Sequence, residues 1–160
     1  MNLLTSLFSI FAPAMELKIK KYNELSTDEL YEILRLRSAI FVVEQNCAYQ
    51  DMDHADQRSI HLWLEDNEGI VAYGRVVEKG VFLPEVAIGR IISRIRRKGL
   101  ATQIVKKGIE IAQQEYQADR IMLEAQVYAR SLYEKCGFRQ CSEEFLEDGI
   151  PHIKMLWIKE

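Results

Sequence analysis

Two stretches of the chain carry residues whose types and spacing could do chemistry. The first is Arg96-Arg97-Lys98-Gly99-Leu100-Ala101, a basic turn with a single glycine. Before it, Val86 to Ser93 is a β-branched apolar run, the composition of a buried strand. After it, apolar residues at Leu100, Ala101, Ile104, Val105, Ile109 and Ala112 repeat with helical spacing. The start of a helix offers N–H groups without chain partners and the positive end of the helix dipole, so a strand–turn–helix with three cations suits an anion. Neither G-x-x-x-x-G-K-[ST] nor G-x-G-x-x-G is present here. Alone, the hexapeptide would serve equally as a solvated basic turn. The second stretch, Asn46 to Ser59, gathers Asp51, Asp53, His54 and Asp56. A metal-dependent hydrolase could be built on such a set, but the glycine and closing glutamate of a calcium loop are missing. A solvated acidic loop is the expected reading.

The elements that must position these groups follow from the rest of the chain. With 160 residues, 48% hydrophobic and 28% charged, the chain can build one domain with a substantial core. A net charge of −3 argues against a general nucleic-acid binder and makes the basic triplet a local feature. Cys47, Cys136 and Cys141 are odd in number and lack C-x-x-C spacing, which points to a reducing cytoplasm rather than to disulfides or structural zinc. Residues 1–14 are apolar but have no basic start and are too short to span a bilayer, so they are expected to be an extension before a domain of 15–160. A strand is expected at 17–22, and a capping box, Ser26 with Glu29, opens a helix carrying Leu30, Ile33, Leu34 and Arg37 on one face. A short helix over 38–45, a hairpin over 61–77, the strand at 86–93, the helix from 100 to about 117 and a strand at 120–127 follow. The last strand should run parallel to the one at 86–93. A short helix over 128–135, stopped by Gly137, a strand at 138–141, an acidic turn over 142–151 and a strand at 152–158 close the chain. The expected fold class is α+β (mixed α/β): a mixed, mostly antiparallel sheet with helices on its faces.

Arg96-x-x-Gly99-x-Ala101 also resembles the R/Q-x-x-G-x-G/A signature of the GNAT family of N-acetyltransferases. Leu132-Tyr133-Glu134-Lys135-Cys136-Gly137-Phe138 resembles that family's F/L-Y-x-x-x-G-F segment, one helix and one strand later. Phe41 to Cys47, Tyr49 to Asp53 and Glu147 to His152 extend the likeness to the bacterial, ElaA-like branch, over roughly residues 20–160. The resemblance implies acetyl-CoA as co-substrate, laid between two splayed parallel strands, 86–93 and 120–127. Backbone groups near Ile91, Ile92 and Ser93 would meet the pantetheine arm. Arg96, Arg97, Lys98, Gly99, Leu100, Ala101 and Thr102 would hold the pyrophosphate. Ala101 stands where many members have glycine. Tyr133 would be the acid to the departing thiolate. A carboxylate or histidine would take the proton of a primary amine, small molecule or peptide; Glu44 is the first candidate, because partial burial would raise its pKa, with His61, Glu124 and His152 as further acceptor-side residues. No metal, nucleic acid or membrane is implied, and a monomer or homodimer is expected. A non-catalytic acyl-CoA-binding module on the same fold is the alternative.

Overall fold

The computed structural model describes residues 14–160; the extension read over 1–14 lies, Ala14 apart, outside the described residues. Strand β1 (Glu16–Lys21) leads through a 3₁₀ turn into helix α1 (Thr27–Arg37). The expected capping box is formed: the Glu29 N–H donates to Ser26 Oγ at 3.0 Å, and the Ser26 N–H to the Glu29 carboxylate at 2.9 Å. The helix then continues as a π-helical segment, Ser38–Glu44, so the second helix expected at 38–45 is a widened continuation of the first. Strands β2 (Ser59–Asp66) and β3 (Gly69–Val77) form the hairpin, followed by β4 (Val86–Ser93), helix α2 (Leu100–Tyr116) and β5 (Arg120–Gln126). After a 3₁₀ turn come helix α3 (Arg130–Glu134), β6 (Arg139–Gln140), β7 (Phe145–Glu147) and β8 (Ile150–Ile158). Gly137 ends the α3 turn with φ 94°.

The eight strands make one sheet in the order β1-β2-β3-β4-β5-β8-β6, with β7 also paired to β8. Among the described residues only β4 and β5 run parallel. Because strand side chains alternate between faces, each face collects its own core. On one face α2 packs Ile104, Val105 and Ala112 against Leu62, Val76, Ile88 and Ile121. On the other α1 sets Ile33 and Leu36 against Trp63, Tyr73 and Ile92.

Two segments depart from the sequence-based expectation. The stretch 142–151 contains β7, a three-residue strand joined to β8 through Asp148 and Gly149, both at positive φ, 50° and 78°. That is the backbone of a tight hairpin turn, for which Asp-Gly is suited. The acidic stretch 46–59 is only partly solvated: His54 is exposed, but Asp51 and Asp56 are both buried.

Candidate active site

The site originates in one irregularity of the sheet. Tyr73 of β3 pairs with Ile92 of β4, while Arg75 pairs with Gly89, so β4 carries one residue more than its partner there. Arg90, in this bulge, has φ 55°. A bulge bends a strand and increases its twist. The parallel pairing of β4 with β5 accordingly covers only Val86 with Ile121 and Ala87 with Met122, after which the strands part. A cleft of about 1020 Å³ opens in the gap, lined among others by Ile91, Ile92 and Ser93 on β4 and by Glu124 and Gln126 on β5.

At one end of the cleft stands the basic turn. Gly99 is the N-cap of α2 with φ 69°, a left-handed conformation that glycine adopts without the clash a Cβ would bring. No side chain caps this helix, and its first backbone bond runs from the Gln103 N–H to the Gly99 carbonyl. The amides of Leu100, Ala101 and Thr102 thus lack backbone partners within the helix. Arg96 and Ala101 line the cleft, and the exposed Arg96 guanidinium lies 3.7 Å from Glu44 across it.

Farther along, Tyr133 on α3 is 8% exposed and lines the same cleft, its ring edge-on to Phe138. Its hydroxyl has no protein hydrogen-bond partner among the described residues, yet it is not a sealed group. Burial pushes its phenol well above the ordinary value of 10, so it stays protonated. Glu124, Glu147 and His152 lie on one sheet face: Glu124 pairs across strands with Lys154, Gln126 with His152, and Glu147 with Ile150. Burial, then the charge and hydrogen bond of Glu147, raise the Glu124 carboxyl above the usual range. Gln126 donates to Gln45 at 3.1 Å, and the Cys47 thiol lies 3.7 Å from the Asp148 carbonyl, tying the end of the π-helical segment to this wall.

The aspartates that had suggested a metal are taken by arginines. Arg37, fully buried, donates to Asp51 at 2.9 Å and to Asp56 at 2.6 Å. Arg75 holds Asp53 at 2.6 Å and Asp56 at 2.8 Å, and Arg90 reaches Asp51 at 2.8 Å. The Tyr49 hydroxyl also donates to Asp51 at 2.8 Å. This lattice pins the 46–59 loop against the bulge and orients Arg90, whose guanidinium sits 6.0 Å over the Phe41 ring. His61 belongs here and not to the cleft. It is fully buried, with Nε2 donating to the Asp56 carbonyl at 3.0 Å and Nδ1 accepting from the Tyr73 hydroxyl at 2.8 Å. The carbonyl can only accept, which fixes the neutral tautomer. Burial lowers the pKa of this imidazole. The expectation that His61 meets the acceptor is corrected on these grounds.

The profile of the acetyltransferase (GNAT) domain matches residues 24–159. ElaA of Escherichia coli is 39% identical over 140 residues, covering 84% of this chain and 90% of that protein. The chain belongs to the GNAT acetyltransferase family. A fission-yeast relative, a UPF0039 protein of Schizosaccharomyces pombe, is 38% identical over 145 residues, 88% of this chain and 95% of its own, so the relatives reach beyond bacteria. The crystal structure of E. coli ElaA superposes with a TM-score of 0.83 at 35% identity, over 90% of this chain and 99% of that one. An acyl-CoA N-acyltransferase from Pseudomonas aeruginosa gives the same TM-score at 32% identity and the same coverage. The GNAT fold expected from the motifs, with one parallel pair in a mostly antiparallel sheet, is the fold found, and acyl transfer is the chemistry of the family.

Of the residues singled out from the sequence, Ile91, Ile92, Ser93, Arg96, Ala101, Tyr133, Glu44, Glu124 and His152 line this one GNAT cleft. Arg97 and Lys98 are exposed on the turn beside it, and the Leu100 side chain is buried under α2. Glu44 lines the cleft but its side chain is 55% exposed, so the burial expected to favour it as a base is absent. Glu147 falls in the Glu147 to His152 segment that extends the family likeness, but no individual role was assigned to it there. The Asp148-Gly149 turn signal could have indicated β7 and hence the face on which Glu147 stands.

Proposed function

We propose that the protein transfers an acetyl group from acetyl-CoA to a primary amine, by direct attack within a ternary complex. The observation that supports this best is the parting of β4 from β5 beside the uncapped start of α2. The first leaves the outer edge of β4 from Ile88 to Ser93 without a strand partner, suited to the amide-bearing pantetheine arm. The second offers the amides of Leu100, Ala101 and Thr102, with those of the turn from Arg96 and the cations Arg96, Arg97 and Lys98, to a pyrophosphate. The Thr102 hydroxyl adds a donor. The residues present therefore fit acetyl-CoA, and no step requires a metal.

In this reading Tyr133 acts on the thiolate that departs as the C–S bond breaks. A thiol has a reference pKa near 8.5, below that of a phenol raised by burial. Tyr133 therefore supplies a strong hydrogen bond as charge develops on sulfur, and gives up its proton only as another replaces it. Glu44, Glu124 and His152 remain candidates for contact with the acceptor. The catalytic unit is one domain over 15–160, acting as a monomer or homodimer in the reducing cytoplasm, in keeping with three free cysteines. The acceptor is a small-molecule or peptide amine.

The test is thiol release from acetyl-CoA across a panel of primary amines, with Tyr133→Phe beside the wild type. The expected result is turnover in the wild type and a loss of about 100-fold in kcat in the variant, with the thermal shift given by acetyl-CoA unchanged. Binding without turnover, identical in Tyr133→Phe, would establish a non-catalytic acyl-CoA-binding module.

A further inference from the structure

The acceptor end of the cleft has a charge pattern unlike the rest. Glu44 has Arg96 nearby, and Asp53 is held by Arg75 and Arg90. Glu124 and Glu147 have no guanidinium partner among the described residues. Both line the cleft on the same face of the sheet, and the nearby charge of Glu147 raises the Glu124 carboxyl. Glu147 lies 3.8 Å from Nε2 of His152. Nδ1 of that ring donates to the Ile150 carbonyl at 2.7 Å, which leaves Nε2 as the basic nitrogen of the neutral imidazole. Phe145 stacks on the ring at 6.0 Å between centroids and holds it in place. An independent feature points to a ligand in the same cleft: the hydroxyl of Tyr133, on a side chain more than nine-tenths buried, opens to it without a protein partner among the described residues.

We infer that Glu124 and Glu147 together receive the ammonium of the acceptor, take its proton, and select amines that carry no carboxylate beside the reacting nitrogen. The inference rests on the acetyltransferase reading and names its substrate class. The ammonium gives one proton to the ionised pair. The freed lone pair attacks the thioester carbonyl carbon, and the C–S bond breaks with its electron pair leaving on sulfur. The nitrogen loses its second proton by way of His152 Nε2. Of the two protons, one reaches sulfur through Tyr133 and the other reaches solvent. The products are the N-acetyl amine, free coenzyme A thiol and one proton. A carboxylate on the carbon bearing the nitrogen would be brought against the pair, like charge on like charge, and would be repelled.

Matched pairs of acceptors test this: phenethylamine against phenylalanine, and 1,5-diaminopentane against lysine, by thiol release at saturating acetyl-CoA. The wild type is expected to favour the decarboxylated member by about 100-fold in kcat/KM. In Glu147→Gln that preference should fall at least tenfold. The acidic limb of kcat/KM should also move to lower pH, because Glu124 would no longer face a second carboxylate. Around Glu124 the remaining titratable groups are Lys154 and His152 on β8, with Asp148 and Glu44 elsewhere on the cleft wall. Glu124→Gln serves as the second variant, and an unchanged acetyl-CoA thermal shift shows that each variant is folded. Equal use of amines and amino acids by the wild type overturns the inference, as does an unchanged preference and pH limb in both variants. Failure of the wild type to bind acetyl-CoA overturns the acetyltransferase reading itself, and the thermal shift tells the two failures apart.

Discussion

At the scale of single residues, the feature with the largest energetic stake is the Arg37–Asp51–Arg90–Asp53–Arg75–Asp56 lattice. Removing one member of a buried ion pair strands its partner, at a cost of about 3–5 kcal/mol. Asp56 accepts from both Arg37 and Arg75. Asp56→Asn is therefore expected to lower stability by about 3 kcal/mol, read as a drop of roughly 10 °C in Tm. An unchanged Tm would mean that the lattice is dispensable. The same residues set the acid side of the stability profile. Burial alone would raise Asp53 and Asp56, but the hydrogen bonds and charges of Arg75 and Arg37 outweigh it and hold both below the ordinary carboxylate range. Their stabilisation is therefore full above about pH 4, the unfolded value, and is lost as pH falls through the lower folded values. His61 adds an earlier loss. Its folded pKa lies below 6.5, so its contribution is full above that pH and declines beneath it. Chemical denaturation at pH 7.5, 5.5 and 3.5 should show stability decreasing at each step; a flat profile to pH 3.5 would contradict this assignment.

At the scale of elements, the bulge of β4 is what opens the cleft, and it leaves little room beneath it. A Cβ added at Gly74 would come within 2.7 Å of Ile104 Cγ2 and 2.8 Å of Ile91 Cδ1. Gly74→Val therefore has to push α2 or the bulge outward, at an overpacking cost of about 1–3 kcal/mol. Since Ile91 lines the cleft, the displacement should also weaken acetyl-CoA binding. Parallel measurements of Tm and acetyl-CoA affinity check both effects. Loss of stability with unaltered affinity would show that the cleft does not depend on this contact.

At the scale of the whole molecule, charge is divided along the cleft: cations surround the start of α2, and the carboxyls of Glu124 and Glu147, which no guanidinium meets among the described residues, lie at the β5–β8 end. The net charge of −3 conceals this separation. Acetyl-CoA at 100 times its Kd is expected to stabilise the fold by about 2.7 kcal/mol, a rise of roughly 5–10 °C in Tm. Charge reversal at Arg97 and Lys98 should reduce that rise while leaving the ligand-free Tm nearly unchanged, because both side chains are exposed. Scanning fluorimetry of the two proteins decides the point; an undiminished rise would remove these cations from the pyrophosphate site.

The sequence by itself determined whatever is local or periodic. The Ser26–Glu29 box, the 3.6-residue spacing of α2, the alternation in β2 and β3 and the basic turn at Arg96 are short-range patterns read from neighbouring residues. Strand–helix–strand order was enough to make β4 and β5 parallel. The tertiary structure decided what depends on distant partners. Arg37, Arg75 and Arg90 lie in otherwise apolar segments, and buried charges need partners, but only folding brings those partners from the 46–59 loop, as many as 39 residues away in sequence. That pairing buried Asp51 and Asp56 in a loop whose composition reads as solvated, and drew His61 into the core. The three-residue β7 was too short to show alternation, and pairing with β8 is what set Glu147 on the same sheet face as Glu124 and His152. A carboxylate's neighbours, and therefore its proton affinity, are fixed by packing across strands rather than by position along the chain.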